Sequence, residues 1–153
     1  AIEILGGSET SRLYRALVIE QQVAVAAGAW YWNDALDMGQ FGVYAVPAEG
    51  VDLDALDVAT ESIVKAFRDE PVDPRELERA KTRLIADMVY AQDNQTHLAR
   101  IYGSTLTTGG KVEDVAGWVE SIRAVSADDI KAAAEKYLLP GRSVLGHLLK
   151  SAA

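Results

Sequence analysis

Between Ser11 and Trp32 the hydrophobic pattern changes period within one segment, and the rest of the chain is read from that junction. In its first half Leu13, Ala16, Leu17 and Glu20 recur at helical spacing. Ser11 stands where an N-cap oxygen can accept an orphan backbone N–H. In its second half Val23, Val25, Trp30, Tyr31 and Trp32 bring β-branched and aromatic side chains that suit a pleated surface. The pattern predicts a helix feeding a strand. Upstream, Ala1, Ile2 and Leu5 followed by Gly6-Gly7 read as the last turns of a helix running into its glycine end, with Gly6 to Thr10 as a turn. The pattern opens in mid-helix, so a single domain, residues 1–153, incomplete at its N-terminus, is expected.

Asn33 to Gly39 carries turn residues, and GQFGVYAVP then alternates, with Phe41, Val43 and Ala45 on one face and Gly42 and Tyr44 on the other. Pro47 ends this second strand by withdrawing a ladder donor, and the two strands are expected to pair as an antiparallel hairpin. From Asp52, a candidate N-cap, Leu56, Ala59, Ile63, Ala66 and Phe67 form one helical stripe through about residue 68. Asp73-Pro74-Arg75-Glu76 is a stronger start signal: Asp73 can cap, Pro74 suits the first helical position and Glu76 can return a bond to the cap. Leu77, Ala80, Leu84, Met88 and Ala91, then Leu98, Ile101, Tyr102 and Thr105, fit two helices or one helix bent around Asp93 to Gln95. Gly109-Gly110 precedes a shorter helix, Val112 to Ile122, with Val115, Trp118, Val119 and Ile122 on its apolar face. Ser126 to Asp129 reads as a capping box opening the helix of Ile130, Ala133, Ala134 and Tyr137, which Pro140-Gly141 ends. The tail SVLGHLLK is expected to return to the sheet as a last strand.

Composition narrows the function. The formal charge of −8 and pI near 4.7, with no basic stripe, argue against a nucleic-acid partner. The absence of cysteine excludes disulfides, thiolate catalysis and cysteine-based zinc sites. No run approaches the roughly 18 apolar residues of a membrane-spanning helix, and AIEILGG lacks the basic region and apolar core of a secretory signal.

The segments ILGGSETSRLYRALVIEQQVAVAA, DMGQFGVYAVP and ELERAKTRLIADMVYAQDNQTHLARIYGSTLTTG, in that order, resemble the C-terminal domain of the pitrilysin and mitochondrial-processing-peptidase family of zinc metallopeptidases, the inverzincins. The resemblance implies an α+β fold: a two-layer sandwich with an antiparallel or mixed sheet and helices packed on one face, as in LuxS and the processing peptidases. In that family the metal apparatus is H-x-x-E-H on a helix of the N-terminal domain. This chain has no such motif. Its histidines, His97 and His147, are not followed by a carboxylate and a second histidine at ligand spacing, and they are expected as a partly buried helix residue and a surface or strand residue.

The resemblance further implies that the C-terminal domain can supply an arginine and a tyrosine that stabilise oxyanion charge. Those places fall at Val18 and Val25, and neither valine can donate a hydrogen bond. Zinc is therefore expected in the missing N-terminal domain or in a partner subunit, with no metal ligand and no catalytic residue in this chain. Arg12 and Arg15 are expected to be solvated or paired with carboxylates such as Glu9 and Glu20. Trp30, Tyr31 and Trp32 could line a peptide-binding wall; alternation divides them between faces, so at least one is expected in the core. The candidate substrate-binding residues are Trp30, Trp32 and Arg15. Gly6-Gly7 and Gly109-Gly110 read as helix ends and not as phosphate loops.

The function implied is that of a non-catalytic domain of a zinc metalloendopeptidase. It would form part of a peptide-enclosing chamber and assemble with a zinc-bearing N-terminal domain and a homologous partner subunit as a heterodimer. The resemblance leans toward a bacterial periplasmic or membrane-associated setting. The alternative is a structural subunit, resembling the core proteins of respiratory complexes, with no proteolytic role.

Overall fold

The computed structural model describes residues 1–32 and 34–149. Helix α1 (Ile2–Leu5) stops at Gly6 because the chain there runs end-on into a strand. The Ala29 amide donates to the Gly6 carbonyl at 2.9 Å, and a Cβ on Gly6 would lie 2.3 Å from that nitrogen. Only a residue without a side chain allows this approach.

The central junction has the predicted form with an unpredicted winding. Helix α2 (Arg12–Tyr14) continues as a π-helical segment, Arg15–Glu20, in which the Gln21 amide reaches five residues back to the Ala16 carbonyl. Gln22 then adopts a left-handed conformation, φ 54°, and the Val23 amide donates to the Leu17 carbonyl. This reversal lays strand β1 (Ala24–Trp32) back across the helix that precedes it.

Strand β2 (Gln40–Pro47) pairs antiparallel with β1, setting Ala27 opposite Ala45, Ala29 opposite Val43, Gly28 opposite Tyr44 and Trp30 opposite Gly42. A register shift between Ala24 and Ala26 leaves Val25 as a bulge. Residues opposite one another share a face. The inner face of Ala27, Ala29, Phe41, Val43 and Ala45 packs on the core. Its small residues let the helical layer approach closely.

That layer contains α1, α2 with its π continuation, α3 (Leu53–Asp69) and α4 (Pro74–Ala91), followed by α5 (Gln95–Thr107), α6 (Val112–Ala116), α7 (Trp118–Ala124) and α8 (Ala127–Tyr137). Leu5, Leu13, Leu17 and Phe67 are its largest fully buried side chains, and Ile4, Leu56, Val72, Leu77, Ile130 and Ala134 join them in the cluster, with Ala24 and Ala27 of β1 against it. Burial of each large apolar side chain contributes roughly 1.5–3 kcal/mol. The result is the expected α+β architecture with helices over one face of an antiparallel sheet. No helix among the described residues is long and apolar enough to cross a membrane.

Several local expectations change. Asp73 caps α4 as read, accepting from the Arg75 and Glu76 amides, but the Glu76 carboxylate turns away to a partner on another element. Asp52 and Ser11 occupy N-cap positions without making a side-chain cap bond. Asn94 accepts from the His97 amide and starts α5 afresh, so the long pattern is two helices. Gly117 divides the expected Val112–Ile122 helix into α6 and α7. The capping box is present, with Ser126 and Asp129 exchanging side chain to backbone bonds.

The described part of the tail, residues 143–149, is not a strand. After a 3-10 turn, Pro140–Arg142, His147 Nε2 meets Asp57 Oδ2 of α3 at 2.6 Å, while Val144 and Leu148 are 99% exposed. A strand exists only through its ladder partner, and the tail is fastened to α3 instead of lying beside β1 or β2. Asn33 and Lys150, which belong to the predicted turn and last strand, lie outside the described residues.

Candidate functional site

The outer face of the hairpin is paved with aromatic rings over glycine. Tyr44 covers Gly28 so closely that a Cβ there would fall 2.8–2.9 Å from its ring and hydroxyl, and Trp30 covers Gly42 in the same way, with Cε2 at 2.3 Å. Both pairs are directly opposed across the ladder. Trp32, two residues on, points to the same face, and its ring centroid lies 4.6 Å from that of Trp30 at a 40° tilt. Glycine provides the room for each ring to lie along the sheet, and the rings in turn shield a backbone that glycine would leave bare.

These rings remain open to solvent: Trp30 is 36% exposed, Tyr44 50% and Trp32 63%. Val46 and the bulged Val25 add exposed apolar surface. The expectation that one of Trp30, Tyr31 and Trp32 belongs to the core is not met. Tyr31 shares the inner face with Phe41, its partner across the ladder, yet it too is 52% exposed and, unlike Phe41, does not join the core. Alternation correctly places Trp30 and Trp32 together, whereas Tyr44 and its glycine partners were not singled out as site residues. The available signal was a glycine in each strand with an aromatic residue at the facing position.

Arg15 is not brought to this surface. It lies in the π segment of the helical layer, exposed, and its Nη2 pairs with Glu20 Oε1 at 3.0 Å. Arg12 joins Glu76 and not Glu9. Its Nε and Nη2 donate to both carboxylate oxygens at 3.1 and 2.8 Å, and its guanidinium stands 5.3 Å from the centre of the Phe67 ring. The Glu76 hydrogen bond raises the Arg12 pKa, against the opposing effect of burial. Arg12 thus ties α2, α3 and α4 together and is spent on structure.

Val18 packs against the core, while Val25 is exposed in the bulge, so an oxyanion donor has no counterpart at either place. His97 is exposed on α5, contrary to the partial burial expected, and His147 is engaged with Asp57. Among the described residues no group of three or more histidine, aspartate or glutamate side chains could hold a metal ion. These residues do not fit a zinc centre of the three-ligand type.

Fold and surface together define an α+β domain with one face built into a helical core and the other an open aromatic platform. Residues 1–84 match the family described as the Peptidase M16 inactive domain. The chain belongs to this family. It is 35% identical over 104 residues to the mitochondrial-processing peptidase subunit beta of Lentinula edodes, covering 67% of this chain and 22% of that protein. It is 31% identical over 134 residues to an uncharacterized zinc protease of Rickettsia felis, covering 87% and 32%. The chain thus spans a third or less of the length of these curated relatives. Among solved structures, the inactive peptidase domain of a Bordetella parapertussis protein superposes with TM-score 0.84 at 18% identity, covering 99% of this chain and 81% of that one. A protease from Helicobacter pylori superposes with TM-score 0.82 at 16% identity, covering 90% and 33%.

Proposed function

We propose that this domain is the non-catalytic C-terminal domain of a zinc metalloendopeptidase and presents the outer face of its hairpin to an extended peptide. The observation that carries this reading is the platform of Trp30, Trp32 and Tyr44 laid over Gly28 and Gly42. Rigid aromatic rings offer large contact area at little entropic cost, and a flat array of them accepts varied apolar side chains. Such a surface suits a protein that must hold many sequences while hydrolysis proceeds elsewhere. Zinc, its ligands and the general base would then belong to an N-terminal domain or a homologous partner subunit, consistent with the absence of donors at Val18 and Val25.

The test is the fluorescence anisotropy of a fluorescein-labelled unstructured peptide, oxidised insulin B chain, titrated with the wild-type domain and with Trp30→Ala and Trp32→Ala. Saturable binding weakened at least fivefold by each substitution supports the reading. Absence of binding, or binding that both variants retain, overturns the assignment of this face and favours a purely structural subunit.

A further inference from the structure

On the reading that the outer face of the hairpin holds peptides, we propose that it selects extended segments in which apolar and polar residues alternate, and that it does so through side chains alone, without main-chain pairing. The outer face consists of four opposed pairs in succession along the ladder: Ala26 with Val46, Gly28 with Tyr44, Trp30 with Gly42 and Trp32 with Gln40. None of these residues is charged. Strand residues rise about 3.4 Å each, so successive pairs stand about 6.8 Å apart and the four rows span about 20 Å. Each row carries one large, exposed apolar side chain, Val46, Tyr44, Trp30 or Trp32, beside a small or neutral partner. The Trp32 ring leans back to 4.6 Å from that of Trp30, which closes the surface at that end.

An extended peptide has the same period. Its alternate side chains point to one side and recur about every 6.8 Å, whereas a helix repeats its stripe every three or four residues, at about 4.5–6 Å. Strands packed face to face run within about 30° of one another. A peptide laid along the hairpin therefore sets residues i, i+2, i+4 and i+6 on the four rows and turns the residues between them to solvent. Apolar side chains in the first set gain contact with the rings, while a charged one would lose water with no opposite charge on this face to replace it. Face-to-face packing keeps the two backbones about 10 Å apart, outside hydrogen-bond reach, so the amides of the peptide stay with water. Selection then follows the period of the apolar residues and not the identity of any one of them, which suits a floor of flat rings.

The experiment compares two fluorescein-labelled peptides of one length and composition, four leucines among serines and glutamines, by anisotropy against the wild-type domain. In the alternating isomer leucine occupies every second position, so all four lie on one side of an extended chain. In the paired isomer the leucines form two adjacent pairs separated by two polar residues, which puts two on each side. The alternating isomer should bind at least tenfold tighter, keep its affinity within threefold when the amides of its polar residues are N-methylated, and lose most of its advantage in Trp32→Ala. The Trp32 ring is 63% exposed and covers no glycine, so this variant is expected to fold, which far-UV circular dichroism checks. Oxidised insulin B chain is the control. If it binds through Trp30 and Trp32 while the two isomers bind equally, while N-methylation abolishes binding, or while Trp32→Ala keeps the full discrimination, selection by period is overturned and the peptide-holding reading stands. If neither isomer nor the insulin chain binds, both fall.

Discussion

Gly42→Ala probes the platform without removing any of its rings. The new methyl carbon would lie 2.3 Å from Trp30 Cε2 and 2.4 Å from Cζ2. Ordinary carbon contacts begin near 3.5 Å, so the ring must move by more than about 1 Å. Trp30 is at the surface and can swing into solvent, which makes lost contact the main cost. Displacement breaks the stacked pair with Trp32, worth about 0.5–1.5 kcal/mol. Against this, alanine reduces the freedom of the unfolded chain and returns about 0.4–1 kcal/mol. The two nearly cancel, so stability should change by less than about 1 kcal/mol while the geometry of the platform changes fully. The assay is therefore spectroscopic: two tryptophans in contact give an exciton couplet in circular dichroism, which Trp32→Phe should abolish. Gly42→Ala should abolish it too and weaken peptide binding at least threefold. A couplet that survives in Gly42→Ala would show that the Trp30 ring does not rest over Gly42.

Other perturbations test the packing. Gly6→Ala puts a Cβ against the Ala29 nitrogen, a backbone atom that cannot swing aside, and is expected to destabilise by about 1–3 kcal/mol in urea unfolding. Phe67→Ala empties the centre of the core and removes the ring facing Arg12, costing about 3–5 kcal/mol; a loss below about 1 kcal/mol would contradict the packing described. The capping box gives a pH dependence. Bonds from the Ser126 hydroxyl and amide hold the Asp129 carboxyl below its usual value of 3.8. A depressed folded pKa means stability that is present above 3.8 and lost as pH falls through the folded value. Ser126→Ala should flatten the acid limb of a stability profile measured between neutral pH and this range, leaving the neutral limb unaltered in shape.

Patterning revealed the elements wherever one period decided the matter. The helix-to-strand junction at Ser11–Trp32, the hairpin and the Asp73 and Ser126 starts all follow from local chemistry. What escaped depends on neighbours distant in sequence. Glu76 has the right spacing to return a bond to Asp73, but Arg12, 64 residues away, offers it a bidentate charge-assisted pair that is stronger. Residues 143–149 have a strand's composition, yet strand formation requires an edge, and the Asp57 carboxylate takes His147 instead. Alternation placed Trp30 and Trp32 on one face and could not reveal that Tyr31, on the inner face, stays half exposed beside a Phe41 that joins the core. The sequence departure at Val18 and Val25 was legible directly, because it concerns which atoms are present and not where they go.

The claim that this domain shapes a peptide-holding surface and leaves the chemistry elsewhere is tested most directly by metal content and hydrolysis together. The purified chain is incubated with zinc, desalted and analysed by emission spectrometry, and the same sample is assayed with a quenched-fluorescence peptide. Below about 0.1 zinc per chain and no cleavage are expected, with peptide binding retained. Stoichiometric zinc, with cleavage abolished by His97→Ala or His147→Ala, would contradict the non-catalytic assignment.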